Sequence, residues 1–388
     1  MDIRKLVRSE IKNACIVVHG GEIFEAMENH GNNVIDFSAN ISPLGISKGA
    51  LNCIYNSIKS KENISRYPNI NSSEVIKSII DFFDSGITKE NIIFGNGSVE
   101  LIRLFCFVFL SKGDRVLIPV PTFGEYEFSS KISGAQCDFI YLLSENDFKL
   151  NIDEIINSTT KKTKAIFLCN PNNPTGKLIP RPELIKLLDF AKQKKILVFV
   201  DEAFIDFTCS PSKSAVYSIT EYENLFVLRS LTKMYGLAGL RIGFGIGSPE
   251  IIRYMKNASI PWNVNYLAQK ALIGALEDKK HVIKTKETIL NEKVYIFKKL
   301  HELSDASLKV FETDCNFLLI DISKYGINSI LFKKKMLEKG ILIRDCSSFR
   351  GLDNRYVRIA IKNRSENRKM LSAFKEVIKE VIKEVGRS

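Results

Sequence analysis

What this 388-residue chain lacks narrows its function before any motif is read. Its eight cysteines, at 15, 53, 106, 137, 169, 209, 315 and 346, form no Cys-x-x-Cys pair, and its four histidines stand at no metal-ligand spacing. Free thiols in a reducing compartment fit this pattern better than a disulfide framework or a zinc site, and no metal is expected. The most apolar run, Leu104 to Leu110, falls far short of the ~20 residues that cross a bilayer. Met1-Asp2-Ile3-Arg4-Lys5 leads into no apolar export segment, so a cytoplasmic location and no membrane partner are expected. There is no repeat, no low-complexity block, and no basic arm interleaved with aromatics. The net charge of +12 comes from lysines in short clusters such as Lys161-Lys162, Lys194-Lys195 and Lys333-Lys334-Lys335. That is the distribution of a solvated surface rather than of a nucleic-acid face.

What is present is an ordinary globular composition, 45% hydrophobic and 26% charged, on a chain long enough for a large core. The first forty-odd residues are rich in Gly, Asn and Pro and read as a long loop, either disordered or part of a site. From about residue 72, helical and strand patterns alternate. A helix Ser72 to Phe83 and a strand Asn91 to Phe94 precede the apolar helix Val99 to Leu110. Further strands are expected at Arg115 to Pro119, Cys137 to Leu142, Ala165 to Cys169, Ile196 to Val200 and Leu225 to Leu228. Such alternation predicts an α/β fold with a mainly parallel sheet covered by helices on both faces. After Asn265 come long Lys/Glu-rich helical stretches and the strands Cys315 to Ile320, Leu342 to Arg344 and Tyr356 to Ile361, then a last helix. The expected division is an N-terminal arm over 1–45, a large domain over 46–265 and a smaller α+β domain over 266–388.

The chemistry-bearing stretches lie at strand ends. Ile196-Leu197-Val198-Phe199-Val200-Asp201 is a β-branched run closed by an acid, which reads as a buried parallel strand with a carboxylate at the end where open α/β sheets bind ligands. Leu228-Arg229-Ser230-Leu231-Thr232-Lys233 follows, with Arg241 eight residues beyond the lysine. A lysine crowded into a pocket can lose its proton and attack an aldehyde, and the arginine can return to grip an anion beside it. Alone, the two could equally be solvated loop residues. Gly95-Asn96-Gly97-Ser98-Val99 joins a strand to a helix and can cradle a phosphate on free N–H groups, although it lacks both the P-loop lysine and the spacing of a dinucleotide loop. Gly243-Phe244-Gly245-Ile246-Gly247 misses that spacing too and reads as strand and turn glycine.

Cys169-Asn170-Pro171-Asn172-Asn173-Pro174-Thr175-Gly176, then Asp201, then Ser-x-x-Lys and Arg241, in that order, resemble the fold-type I enzymes that use pyridoxal 5'-phosphate, a class whose central sheet has seven strands. The resemblance covers nearly the whole chain and implies roles residue by residue. Lys233 would bond covalently to the cofactor aldehyde, and Asp201 would pair with the ring nitrogen and keep it protonated. Asn173 would reach the phenolic oxygen and Phe123 would stack on the ring. Gly97, Ser98, Val99, Ser230, Thr232 and Arg241 would surround the phosphate, and Tyr67 would reach the phosphate of a second subunit, which implies a homodimer. One departure stands out: many aminotransferases of this class have Tyr three residues after the sheet acid, and this chain has Phe204.

Longer strings are similar to the L-threonine-O-3-phosphate decarboxylases of the cobalamin pathway. They include His19-Gly20-Gly21, Asp36-Phe37-Ser38-Ala39-Asn40, Asp201-Glu202-Ala203-Phe204-Ile205-Asp206-Phe207, Pro261-Trp262-Asn263-Val264-Asn265 and Gly351-Leu352-Asp353-Asn354-Arg355-Tyr356. Phe204 agrees with that pattern. The resemblance implies a small phosphorylated amino acid as substrate, with His19, Asn40, Arg344 and Arg358 holding its phosphate and carboxylate. A histidinol-phosphate aminotransferase, which would require 2-oxoglutarate, is the alternative. L-serine O-phosphate stays open as a substrate, because one methyl group is worth only about 1–3 kcal/mol of discrimination.

Overall fold

A computed structural model describes every residue except 13, 32, 70–72, 209–213, 304–307 and 386–388. Cys209 and the expected helix start at Ser72 lie outside the described residues. In chain order the strands are β1 (Ile35–Asp36), β2 (Ile92–Asn96), β3 (Arg115–Val120), β4 (Gln136–Tyr141), β5 (Thr163–Cys169), β6 (Leu197–Asp201), β7 (Leu225–Ser230) and β8 (Ile242–Gly247). They continue with β9 (Lys309–Val310), β10 (Phe317–Asp321), β11 (Ile341–Leu342), β12 (Arg344–Asp345) and β13 (Tyr356–Ala360).

Seven strands form the central sheet in the order β2-β8-β7-β6-β5-β3-β4. The pairs β3–β4, β3–β5, β5–β6 and β6–β7 are parallel, and β8 runs antiparallel to both of its neighbours. The parity of the strands decides what each face buries. Phe167, Phe199, Phe226 and Leu228 turn to one side, where Phe105 and Tyr126 from flanking helices meet them. Ile166, Leu168, Val198, Val200 and Val227 turn to the other, under Leu184, Leu187 and Leu188 of the helix Arg181–Lys194. Both faces are dry, so these strands read as continuous apolar runs rather than alternating ones. Each fully buried phenylalanine contributes roughly 2–3 kcal/mol of hydrophobic stabilisation.

Asp201 follows the parity of Phe199 and so emerges on the Phe105/Tyr126 face, at the edge where β3, β5, β6 and β7 all end. The helix Ser98–Phe109 starts beside that edge, with Gly97 as its cap at φ 77°. A Cβ on Gly97 would lie 2.4 Å from Arg241 Nη2, so only glycine lets that guanidinium pack on the turn.

A second, four-stranded antiparallel sheet, β12-β13-β10-β9, belongs to the C-terminal part of the chain. The expected single strand Leu342 to Arg344 is instead broken at the buried Ile343. β11 pairs with β1, whereas β12 pairs with β13. The N-terminal region also departs from the expected loop. Ile23–His30 is helical and packs through Ala26 beside Val34 and Leu342, and β1 runs parallel to β11. That helix buries little by itself, and apart from Val34 the partners that cover it, Leu337 and Leu342, lie about three hundred residues away. No helix among the described residues is long and apolar enough to cross a membrane.

Candidate active site

The C-terminal edge of the parallel strands opens into a cavity of about 890 Å³. Its walls come from the large sheet, from the N-terminal segment and from the smaller sheet. Of the expected residues, His19, Asn40, Ser98, Val99, Phe123, Asn173, Asp201, Thr232, Lys233, Arg241, Arg344 and Arg358 line it. Gly97 and Ser230 stand behind this lining, Gly97 under Arg241 and Ser230 with its hydroxyl 2.8 Å from Thr232 Oγ1. Tyr67 does not reach the cavity of its own chain. It is 79% exposed and stacks on Trp262 with ring centroids 4.4 Å apart.

Asp201 ends β6 with only 3% of its surface exposed. Burial pushes its carboxyl pKa up, while the Tyr126 hydroxyl, donating at 2.7 Å, and the Ala203 N–H, donating at 2.9 Å, pull it back towards the charged form. Tyr126 is the residue that sequence reading missed. It lies three positions after Phe123 on the first turn of the helix Glu125–Ile132, where it reads as a core aromatic, and its partner is 75 residues away. Lys233 faces the same cavity. Burial, then the charges of Arg358 and Arg241, lower its pKa to about 8, with Asp201 opposing them. No described side chain accepts a hydrogen bond from its amine. At neutral pH an appreciable fraction is therefore the free amine, the form that attacks a carbonyl.

The loop that carries Lys233 is held from the N-terminal segment. Ser42 N–H donates to the Lys233 carbonyl at 2.9 Å and Ser47 N–H to the Tyr235 carbonyl at 3.1 Å. A Cβ on Gly236 would come within 2.3 Å of the Gly45 carbonyl. The Asp36 to Asn40 turn is pinned in turn to β13 by Ala360 N–H to the Phe37 carbonyl at 2.8 Å. Asn40 is buried and its Oδ1 has no partner among the described residues. Where many aminotransferases of the class carry a phenol, Phe204 packs edge-on against Phe317 at 5.2 Å and lines the cavity with hydrocarbon. Cys169 also lines it, but burial pushes the thiol up to about 12, so it stays neutral.

The opposite wall is cationic. Arg344 and Arg358 are paired positions on β12 and β13, 4% and 5% exposed. Arg344 donates from Nη2 to the Val18 carbonyl at 2.8 Å and to Ser348 Oγ at 2.7 Å. Arg358 donates from Nη2 to the Ser38 carbonyl at 2.7 Å and from Nη1 to Asn173 Oδ1, and its Nε is buried with no partner. Neither guanidinium has a carboxylate partner among the described residues. Burial lowers both pKa values, Arg358 to about 10, with Arg344 adding to the effect, and both remain cationic at neutral pH. Like charges directly opposite across a ladder are unfavourable, and buried charges without counter-ions more so. The arrangement is that of a site completed by an anion.

The comparisons with known proteins agree with this geometry. The model of the aminotransferase class I and II family matches residues 32–374. A histidinol-phosphate aminotransferase from Methanococcus aeolicus is 35% identical over 386 residues, 97% of this chain and 100% of that protein. A protein provisionally named threonine-phosphate decarboxylase, from Caldanaerobacter subterraneus, is 37% identical over 354 residues, 89% of this chain and 93% of its own length. The solved histidinol-phosphate aminotransferase of Clostridium acetobutylicum superposes with a TM-score of 0.82 at 35% identity, covering 89% of this chain and 100% of that one. The solved L-threonine-O-3-phosphate decarboxylase of Porphyromonas gingivalis does so with a TM-score of 0.77 at 25% identity and the same coverage.

Proposed function

The chain belongs to the class I and II aminotransferase family, and from that premise we propose that it decarboxylates L-threonine O-3-phosphate to (R)-1-amino-2-propanol O-2-phosphate and carbon dioxide. Its cofactor is pyridoxal 5'-phosphate, which the residues of the cavity fit. A lysine with a lowered pKa and a buried acid share one cavity, Phe123 offers a ring face, and the Gly97 turn with Arg241 offers a phosphate seat. When bound, the pyridine ring supplies a sink for the electron pair left on the substrate Cα by whichever bond stands perpendicular to it.

The rest falls to the chain's own residues. Asp201, whose charged form the Tyr126 and Ala203 hydrogen bonds favour against its burial, would hold the proton on the ring nitrogen. Lys233 would anchor the cofactor through its amine and could return a proton to the substrate Cα. Ser98, Thr232 and Arg241 bind the cofactor phosphate. Arg344, Arg358, His19 and Asn40 take the substrate's phosphate and carboxylate, and by fixing those anions they choose which Cα bond is perpendicular. Tyr67, exposed on its own chain, would reach the cofactor phosphate of a second subunit in a homodimer.

The observation that carries the reading is the pair of buried, register-matched guanidiniums that form no ion pair with a carboxylate among the described residues. A substrate with a phosphate and a carboxylate in one small molecule neutralises both. Phe204 supports decarboxylation over transamination, because no phenol reaches the cofactor's oxygen from its position. The identity with the Methanococcus aeolicus protein favours a second reading, transamination of histidinol phosphate. One incubation separates them. Protein and cofactor with L-threonine O-phosphate and no keto acid should release carbon dioxide and an amino alcohol phosphate. No release, together with turnover of histidinol phosphate that depends on 2-oxoglutarate, would hand the site to the second reading. L-serine O-phosphate in the same assay reports how much the threonine methyl matters.

A further inference from the structure

Three acids, Glu125, Glu127 and Asp201, line the cavity; Asp201 is assigned to the ring nitrogen and Glu127 pairs with Arg350 and Lys131. Glu125, the first residue of the helix Glu125–Ile132, lines the pocket and is 3% exposed. Its Oε1 lies 3.1 Å from His19 Nε2 and its Oε2 3.5 Å from Arg103 Nη2. A buried carboxylate cannot serve as a ligand for the anions this pocket takes, so its place there needs another explanation.

The N-terminal segment provides one. Val17, Val18, His19 and Gly20 all line the cavity, yet no helix or strand runs from Cys15 to Glu22. Side chains of the body hold this segment. Ser38 Oγ accepts from Gly21 N–H at 2.8 Å, Arg344 donates to the Val18 carbonyl at 2.8 Å, and Glu125 meets the His19 ring. His19 also lies against Phe123, with ring centroids 5.6 Å apart. Arg344 is itself a group that a substrate anion draws on, whereas Glu125 is excluded as an anion ligand by its own charge and meets the segment through the His19 ring.

We propose that Glu125 is a positioning residue whose carboxylate holds His19, and through it the segment 17–20, as a wall of the substrate pocket. The proposal rests on the functional reading above for the identity of the substrate and on geometry alone for the tether. Glutamate rather than glutamine is required because the same carboxylate faces both His19 and Arg103, and charge-assisted bonds are roughly twice as strong as neutral ones.

The test is a double-mutant cycle of Glu125→Gln and His19→Ala on the cofactor-loaded full chain. It is read by KM and kcat for L-threonine O-phosphate and by amide hydrogen exchange of the peptide covering residues 16–22. Glu125→Gln should raise KM about tenfold with kcat within about twofold, and should speed exchange in that peptide. In the His19→Ala background it should add nothing to either. Unchanged exchange in Glu125→Gln, or effects that add fully to those of His19→Ala, would mean that Glu125 serves only Arg103 and its helix, and the proposal fails. If the wild type turns over no phosphorylated substrate, the functional reading falls, while the exchange cycle still decides the tether. If Glu125→Gln does not fold, His19→Ala decides it. That side chain is 46% exposed, so its removal leaves the core intact, and exchange at wild-type speed in that variant overturns the proposal.

Discussion

The two walls of the cavity are built by opposite means. The Asp201 and Lys233 side rises from the ends of adjacent parallel strands packed on buried phenylalanines, and each oxygen of its acid accepts a hydrogen bond from the protein. The Arg344 and Arg358 side combines a two-residue strand, an N-terminal turn and an arm without regular structure. Among the described residues its guanidiniums donate to carbonyl, amide and hydroxyl oxygens. One wall sets its acid with the protein's own donors, and the other takes its counter-charge from the ligand. The first should govern the chemical step and tolerate little change. The second should govern affinity and cost stability when empty.

The largest break in that contrast should come at the Asp201 and Lys233 wall. Lys233→Ala should lower kcat by about a thousandfold or more while cofactor absorbance still shows non-covalent binding, measured by steady-state kinetics and difference spectra. Asp201→Asn should cost roughly 100-fold in kcat with little change in KM, since the ring nitrogen loses its anionic partner. On the arginine wall, Arg358→Met or Arg344→Met should raise KM about 30-fold. The same changes should leave the ligand-free protein as stable or stabilise it by about 1 kcal/mol in urea unfolding, because they remove a buried like-charge pair. A clear loss of stability would show that these charges are already satisfied. The smallest effect belongs to Tyr126→Phe. Loss of its hydroxyl removes a bond that pulls the Asp201 pKa down, so kcat should fall only about fivefold.

The same contrast decided what could be read from the sequence. Asp201, Asn173, Lys233 and Arg241 sit in short strings at strand ends, where the β-branched run and the turn residues mark the site locally. Tyr126 and Glu125 share the first turn of one helix, but their partners, Asp201 and His19, are 75 and 106 residues away, so a buried tyrosine and a surface-looking glutamate carried no signal. The helix Ile23–His30 and the β1–β11 pairing were hidden for the same reason, being stabilised by segments remote in sequence. The mainly parallel sheet was legible because both faces of its strands are apolar, whereas its seven-strand size was implied by the family resemblance. Strand ends moved by a residue or two, where backbone hydrogen bonds outlast the apolar pattern.

The central claim is that Lys233 is the amine that carries the cofactor and that the cavity lowers its pKa to about 8. The direct measurement is borohydride reduction of the protein after reconstitution with pyridoxal phosphate across a pH series, followed by peptide mass analysis. A reduced adduct on the peptide containing Lys233, with an initial rate of formation that rises as protons leave the amine and levels off above about pH 8, is the predicted result. An adduct on any other lysine, or a rate still climbing towards the ordinary lysine range near pH ~10.4, would contradict it.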